Sequence, residues 1–163
     1  MKEIPLTQGF VALVDDEDYD RCNAMNWSIR PSENGGLYAT TWAGDDTHIR
    51  LHNFIMQPKE GEEVDHIDRN GLNCQRINMR LGTRSQNMAN RKFPINASGY
   101  RGVYTNRVGT WTAQIRCNGV LYHLGTHDTA EEAAKVWDEA AKRLHGEYAV
   151  LNFPLAKSTK HTG

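Results

Sequence analysis

Residues 99–154 carry the pattern that most limits what the chain can fold into. The period of their apolar residues changes from two residues, as in a strand, to about 3.6 residues, as in a helix. The first part of this segment is rich in β-forming residues that alternate with polar ones, as in half-buried strands. Asn118-Gly119 interrupts the pattern and is a strong signal for a two-residue hairpin turn. These features predict three antiparallel strands, at residues 100–104, 111–116 and 120–124.

The second part of the segment has the pattern of an amphipathic helix. Thr129 and Glu132 match a capping box, and Gly146 suits the end of the helix. Glu131/Lys135, Asp138/Lys142 and Glu139/Arg143 have the spacing of ion pairs on the solvent side. We expect the apolar side to pack on the sheet; it comprises Ala130, Ala133, Trp137, Ala140, Ala141 and Leu144.

Residues 58–93 combine two further strand signals with a short helix. Residues 63–67 and 77–81 predict strands, and residues 68–73 predict the turn between them. Thr83 is a suitable N-cap for a helix over residues 84–91. This order places four polar residues of chemical interest in one small unit: Asp65, His66, Asn78 and Asn87.

The remaining segments complete a predicted α+β architecture. Short β-like runs, among them residues 48–51, make residues 1–57 a β-rich N-terminal region, and residues 94–98 read as a linker. The polar end of the chain predicts a frayed tail. The predicted divisions are therefore 1–57, 58–93, 94–98, 99–154 and 155–163.

The net charge of −1 conceals two parts of opposite sign. Residues 1–63 contain 5 Lys and Arg against 12 Asp and Glu, which is a net charge of −7, and the remainder of the chain carries +6. Between Arg69 and His127 there are nine Lys and Arg and no acidic residue. Such a stretch is typical of a surface that binds a polyanion, with a solvated basic face as the alternative.

Other sequence features exclude several classes of protein. No apolar run approaches the ~18 residues of a membrane span, and the N-terminus lacks the apolar stretch of a signal peptide. Cys22, Cys74 and Cys117 form no CxxC pair, which argues against a zinc knuckle or a disulfide framework. We expect reduced cysteines in a cytoplasmic protein that does not bind membranes.

The residues of segment 58–93 suit phosphodiester hydrolysis. His66 has an ordinary pKa near neutrality, as a general base requires. Asp65 can bind a metal, and Asn87 can offer an amide oxygen to a hard cation such as Mg²⁺. Because Asp65 and His66 are neighbours in a predicted strand, their side chains should leave on opposite faces. An EF-hand is excluded, since His66 takes its first ligand position and Ile77 the position of the bidentate Glu.

The run VDHIDRNGLNCQRINMRLGTRSQNMANR resembles the HNH nucleases of phages and mobile introns, over about residues 50–92. The resemblance implies that residues 58–93 form a ββα-metal finger, in which His66 activates water. It implies that Asp65 and Asn87 hold the metal, which would be Mg²⁺ or another divalent cation such as Mn²⁺. It also implies that Asn78 braces the loop and orients His66.

Residues 99–154 resemble the AP2/ERF DNA-binding domain through the segments YRGV, TWTAQIR, LGTHDTAEEAA and AVLNFP. The resemblance implies a sheet that enters the major groove of DNA. In the strand predicted at 111–116, Thr112, Gln114 and Arg116 share the polar face, and Gln and Arg commonly read adenine and guanine. The contacting positions of that family fall here on Arg101, Tyr104, Asn106, Gln114, Arg116, Leu121 and His123.

Together these patterns predict a metal-dependent DNA endonuclease of the HNH homing or phage type, positioned on double-stranded DNA by an AP2-like module. We expect a monomer in the cytoplasm of a bacterial or phage-infected cell, although the sequence leaves the oligomeric state open.

His52 is a candidate for either packing or a phosphate contact. The alternatives are a DNA-binding regulator with an inert finger and a structural phage protein. Backbone contacts, which would make binding salt-dependent, are predicted for Arg76, Arg80, Arg84 and Arg91.

Overall fold

The computed structural model describes residues 1–32, 35–44, 47–91, 96–106 and 108–154. The chain forms two compact units, Met1–Asn87 and Met88–Gly163, and each has its own hydrophobic core. Small antiparallel sheets combine with helices, so the predicted α+β class is confirmed. The finer predicted divisions stay predictions, and the predicted tail at 155–163 lies outside the described residues.

Three small antiparallel sheets are described in the first unit, with strand orders β1-β2, β3-β4-β5 and β6-β7. Short helices connect them, and the last helix ends three residues into the second unit. In chain order the elements are β1 (Lys2–Pro5), β2 (Val11–Val14), α1 (Asp16–Asn23), β3 (Ser28–Pro31), β4 (Leu37–Trp42), β5 (His48–Arg50), α2 (Leu51–Met56), β6 (Glu63–His66), β7 (Met79–Gly82) and α3 (Arg84–Asn90).

The core of the first unit joins the N-terminal region to the finger. Ile4, Val14 and Leu51 are buried in the same cluster as Val64 and Met79 of the finger strands. Backbone hydrogen bonds reinforce this packing, because the Leu13 N–H donates to the Leu72 carbonyl over 2.8 Å. The N-terminal region therefore supports the finger directly.

Two predicted elements of this unit are wrong in detail. The strand expected through Leu51 ends at Arg50, and Leu51 begins helix α2, whose Leu51 and Ile55 enter the core one turn apart. The second finger strand begins at Met79 rather than at Ile77, which is 85% exposed. The shift has a physical cause, because the Asn78 side chain is hydrogen-bonded into the preceding loop.

The second unit has the predicted three-stranded sheet with one helix across it, but the first strand begins at Val103 rather than at residue 100. The strands are β8 (Val103–Thr105), β9 (Trp111–Cys117) and β10 (Val120–His127), paired antiparallel in the order β10-β9-β8. Helix α4 (Ala130–His145) begins with the predicted cap, since the Glu132 N–H donates to Thr129 Oγ over 3.2 Å. Its apolar side packs on the sheet through Ala133, Ala134, Trp137, Ala140 and Ala141.

One of the predicted surface ion pairs on α4 is replaced by a buried contact. Glu131 and Lys135 do pair, at 2.7 Å. Asp138, however, is only 4% exposed, and its carboxylate accepts the backbone N–H groups of Asn152 and Phe153 over 2.8 Å each. The Asp138/Lys142 pair is therefore wrong, and Lys142 contacts Glu139 instead.

Of the helices that the structure describes, none has both the length and the hydrophobicity that a membrane crossing requires.

Candidate functional site

One face of β6 gathers oxygen-bearing side chains. Glu63 and Asp65 lie two residues apart in the strand, so they share a face. Both Nε and Nη2 of Arg80, the residue opposite in β7, lie 2.8 Å from Asp65 Oδ2. Asn87 of α3 donates from Nδ2 to Glu63 Oε2 over 2.7 Å. The structure thus brings Asn87 beside Glu63, next to Asp65 along the strand.

The other face of β6 buries a histidine pair. His66 is 5% exposed, and its ring centroid lies 4.9 Å from that of His52 and 6.1 Å from that of Tyr38. Its Nε2 lies 3.9 Å from Cys74 Sγ. Asp65 and His66 therefore have different neighbours, as strand alternation predicts, and the site consists of an oxygen face and an imidazole face. His52 has the packing position that was one of its two expected roles.

Burial governs the protonation of both histidines. It lowers the pKa of His66, against the opposing effect of the Asp68 and Asp65 carboxylates. It lowers the pKa of His52 to about 3, with the charges of His66 and Arg50 acting in the same direction. Both rings are neutral at pH 7, which leaves His66 able to accept a proton.

The His52 pKa predicts that acid destabilises the first unit. The unfolded chain takes up a proton at His52 near pH 6.5, whereas the folded chain does so only near pH 3. The contribution of His52 to the free energy of unfolding is therefore fully present above pH 6.5. It falls as the pH drops, by about 1.4 kcal/mol per pH unit, or about 2 kcal/mol by pH 5. Urea unfolding between pH 5 and 7, followed by hydrogen exchange of the β4 and β6 amides, measures this loss.

The matched variant is His52→Phe, which keeps an aromatic ring and removes the titrating group. Its stability should depend on pH less steeply than that of the unmodified chain, by about 1.4 kcal/mol per unit in this window. Equal slopes for the two proteins would show that His52 does not couple folding to pH.

Asn78 holds the loop between the two finger strands. Its Nδ2 donates to Asp68 Oδ1 over 2.9 Å and to the Asn73 carbonyl over 2.8 Å, while its Oδ1 accepts the Asp68 N–H. Its carbonyl accepts the N–H of Ile67, the residue after His66, over 2.8 Å. The predicted role of Asn78 as a brace therefore has a geometric basis.

Gly71 is needed in this loop for close approach. A Cβ atom there would lie 2.5 Å from the Leu37 carbonyl oxygen and 2.5 Å from the Tyr38 ring. The loop therefore packs directly on β4, whose Tyr38 also contacts His52 and His66. The predicted turn at residues 68–73 is thus also a point where the finger rests on the N-terminal sheet.

The oxygen face suits a hard divalent cation in the chemistry of its donors. Among the residues that the structure describes, no group of three or more His, Cys, Asp and Glu side chains forms a metal site. Mg²⁺, however, is commonly held by one or two carboxylates together with water. Asp65 and Asn87, with Glu63 beside them, provide such a set.

The predicted backbone-contacting arginines of the finger occupy different environments. Arg76 binds the acidic helix α1, with Nε and Nη2 at 2.8 and 3.0 Å from the Asp18 carboxylate. Arg80 is engaged by Asp65 and its side chain is only 13% exposed. Arg84 and Arg91 are exposed. Arg76 is thus a structural partner of the acidic residues of α1.

The second unit gathers part of the predicted DNA-reading set on one sheet face. The pairing register places His123 opposite Gln114 and Leu121 opposite Arg116. Tyr104, on β8, pairs with Thr112 on the same face and is 51% exposed. Because Ala113 and Ile115 point into the core, this face is the outer one.

Two other predicted contact residues hold the fold of the second unit. Arg101 lies 5.1 Å from the Trp137 ring centroid, and its backbone N–H donates to Asn152 Oδ1 over 2.7 Å. Asn106 accepts the N–H groups of Val108 and Thr110 within the turn between β8 and β9. Their DNA contacts stay predictions, whereas their structural contacts are direct.

Sequence reasoning missed Glu63 and Tyr38. Glu63 carried a usable signal, because a residue two positions before Asp65 in a strand must share its face. Tyr38 carried none, because its contact with His66 depends on how the N-terminal sheet packs against the finger.

Comparison with known proteins gives matches to two different kinds of protein. Residues 57–89 match the family described as HNH endonuclease. An uncharacterized HNH endonuclease, L560, from Acanthamoeba polyphaga mimivirus is 36% identical over 107 residues, which is 64% of this chain and 56% of that protein.

The plant relatives match the C-terminal part. Ethylene-responsive transcription factor ERF084 from Arabidopsis thaliana is 48% identical over 67 residues, 40% of this chain and 26% of that protein. Dehydration-responsive element-binding protein 2D from the same plant is 39% identical over 87 residues, 52% and 42% respectively. The matches thus span about half of the viral relative and less of the plant ones. The chain joins a segment that matches HNH endonucleases to a C-terminal part that is similar to AP2/ERF transcription factors.

Proposed function

We propose that this protein is a DNA endonuclease of the HNH homing or phage type that hydrolyses a phosphodiester with the help of a divalent cation. The arrangement around β6 carries the proposal: Asp65 and Glu63 share one face with Asn87 beside them, and neutral His66 lies on the other. Oxygen donors close to an uncharged imidazole are the groups that metal-assisted hydrolysis uses. The HNH endonuclease match of residues 57–89 supports it.

His66 accepts the proton of the attacking water in this mechanism. Its lowered pKa keeps the ring neutral at physiological pH, so no proton has to leave it first. Asn78 is a positioning residue, because it closes the 68–73 loop and bonds to the backbone next to His66.

Asp65 and Asn87 would hold the cation, Mg²⁺ or Mn²⁺. When bound, the ion supplies positive charge where the scissile phosphate and the leaving oxygen become more negative. Both described Arg80 bonds to Asp65 end on the same carboxylate oxygen, Oδ2. Arg80 therefore neutralises Asp65 in the free protein and is close enough to meet a phosphate that approaches the oxygen face.

The outer face of the β8–β10 sheet binds double-stranded DNA in this proposal and positions the finger. Gln114, Arg116 and His123 are its candidates for base contacts, with Tyr104 beside them. The exposed Arg84 and Arg91 are candidates for the DNA backbone. We place the protein in the cytoplasm as a monomer.

A second function, that of a non-catalytic DNA-binding regulator, is favoured by one observation. The Asp65–Arg80 ion pair is largely buried, with side-chain exposures of 5% and 13%. Arg80 therefore competes with any incoming cation for the Asp65 carboxylate. In that case the finger would be inert and only the AP2-like module would act.

Nicking of supercoiled plasmid in the presence of Mg²⁺ or Mn²⁺ separates the two functions. The endonuclease converts supercoiled plasmid to open-circular or linear DNA and stops when EDTA is added. Salt-sensitive DNA binding without any nicking, under either metal, would favour the regulator and contradict the proposal.

Glu63 gives a separate prediction about the metal site. Glu63 accepts the Asn87 Nδ2–H, so the other end of the amide, Oδ1, remains to meet a cation. Glu63→Ala should weaken Mn²⁺ binding to the free protein by about tenfold, because the amide loses the partner that orients it. Isothermal titration calorimetry or the paramagnetic resonance of free Mn²⁺ measures the affinity without reference to activity.

The control for this prediction is Glu60→Ala, which removes an exposed carboxylate of the same charge from the chain just before β6. Glu63→Gln should recover part of the affinity, because its amide oxygen still accepts from Asn87. Equal losses for Glu60→Ala and Glu63→Ala would mean that only the charge near the site matters. If Asp65→Ala leaves the Mn²⁺ affinity unchanged, the metal site lies elsewhere.

A further inference from the structure

The sheet β3-β4-β5 presents a polar and basic face that the finger does not cover entirely. The register pairs Ser28 and Arg50 with Thr40 on either side of β4, and pairs Trp42 with His48. Arg30 pairs with Tyr38 two residues along. Residues directly opposite in paired strands share a face, so all of these side chains lie on one side of the sheet. Ile29 and Ala39 point the other way, into the core.

A groove of about 480 Å³ opens on this face. We call it the β3–β5 groove and define it by Ser28, Arg30, Thr40, Trp42 and His48, which line it. None of its described lining residues is acidic. Although residues 1–63 carry a net charge of −7, the groove itself presents only basic and neutral groups among these residues.

Trp42 is the most distinctive residue of the groove. Its side chain is 56% exposed, and the His48 ring meets it edge-on at 4.9 Å. An exposed tryptophan offers a large apolar face together with a polar N–H, and for this reason Trp is enriched at interfaces.

The basic face continues from the groove towards the candidate active site. The guanidinium carbon of Arg50 lies 5.1 Å from the Tyr38 ring centroid. The Tyr38 ring in turn lies 6.1 Å from the ring of His66. The groove is therefore linked through Arg50 and Tyr38 to the buried imidazole that we propose as general base, and a ligand in the groove would lie beside that site.

The spacing of the two arginines fits one nucleic-acid strand. Arg30 and Arg50 lie on the outer strands of the sheet and are offset by two residues along it, so their Cα atoms are roughly 12 Å apart. Successive phosphates of one DNA strand rise about 3.4 Å along the helix axis, but they wind around it and are therefore roughly twice that distance apart. The two guanidinium groups can therefore reach phosphates that are two or three nucleotides apart.

We propose that the β3–β5 groove, with Arg50, binds the sugar–phosphate backbone of DNA beside the phosphodiester that is cut. Arg30 and Arg50 pair with phosphates, and Trp42 packs against a deoxyribose. The inference rests on the proposed function, which provides both the DNA and the role of His66. It gives the N-terminal region a second task besides supporting the finger.

The test compares two charge reversals in the full chain, Arg30→Glu in the groove and Lys59→Glu at an exposed position outside it. Fluorescence anisotropy of a labelled duplex, measured over a series of salt concentrations, gives the Kd and its salt dependence. Arg30→Glu should raise the Kd about tenfold and lower the slope of log K against log salt by about 1, as expected for a lost phosphate contact. Lys59→Glu should change the Kd less than about twofold. Trp42→Ala should weaken binding without changing the slope.

Photo-crosslinking locates the DNA independently of these substitutions. Benzoylphenylalanine at Ser28, inside the groove, should crosslink to the duplex, whereas the same group at Glu60 should not. Equal effects of Arg30→Glu and Lys59→Glu, together with no crosslink from position 28, overturn the inference while the endonuclease proposal stands. An unmodified chain without salt-sensitive DNA binding overturns both.

Discussion

His66→Ala is expected to abolish metal-dependent nicking of plasmid DNA, with a loss of about 10²- to 10⁴-fold in rate. The imidazole belongs to β6 and is neutral at pH 7, because burial lowers its pKa, so it can accept a proton. In the proposed mechanism the neighbouring carboxylates of the oxygen face hold the cation, which leaves His66 as the candidate for the base. Single-turnover nicking with Mg²⁺ or Mn²⁺ measures the loss.

Two controls separate the chemistry of His66 from its packing. His66→Gln retains a polar side chain of similar size but not a base, so it should be as inactive as His66→Ala. Added imidazole should restore part of the rate of His66→Ala, because the deleted ring leaves a space between His52 and Tyr38. Unchanged nicking by both variants would place the general base elsewhere.

The pH profile provides a further readout of the same residue. Because the pKa of His66 is lowered, the midpoint of the acid limb of the kcat/KM profile should lie below pH 6.5, the ordinary pKa of histidine. A variant that acts only through stability would not move this limb.

Gly102→Ala is expected to destabilise the second unit by about 3–5 kcal/mol. Gly102 has φ +71, and an added Cβ would lie 2.0 Å from Trp137 Nε1 and 2.7 Å from the Gln114 carbonyl oxygen. The left-handed backbone costs a residue other than glycine about 1–2 kcal/mol, and overpacking adds about 1–3 kcal/mol. The clash also breaks the 2.9 Å hydrogen bond from Trp137 Nε1 to Gln114.

Gly119→Ala is the matched control, because Gly119 has φ +80 in the same unit but nothing within 4 Å of an added Cβ. It should cost only the backbone contribution. Thermal unfolding followed by near-ultraviolet circular dichroism, which reports on Trp137, measures both variants. Equal shifts in Tm would show that the close contact with Trp137 does not constrain this position.

Local patterns were sufficient to predict the second unit. The Asn118-Gly119 turn, the Thr129 cap and the helical stripe of α4 each act over a few residues, and all three are present in the structure. They agree with one another about which side is apolar, so the sheet and helix could be assembled from them. Asp138 was misread because its partners, Asn152 and Phe153, come from a later segment that folds back onto the helix.

The finger shows the opposite case. Residue types and spacing predict a site at Asp65, His66, Asn78 and Asn87, but they do not predict which side chains surround these residues. Arg76 was expected at the DNA backbone, and it is bound to Asp18, 58 residues earlier. An ion pair over such a distance in sequence leaves no periodic signal.

The sequence by itself determined the elements whose hydrogen bonds and apolar contacts are local: the hairpins, the caps and the amphipathic helix. It also determined which residue types were available for hydrolysis. Only the tertiary structure decided that the N-terminal sheet buries His66 against His52 and Tyr38, that Arg80 pairs with Asp65, and that Glu63 accepts a hydrogen bond from Asn87. The physical reason is that burial and charge pairing at this site arise between segments far apart in the chain, where packing, and not local propensity, sets the distances.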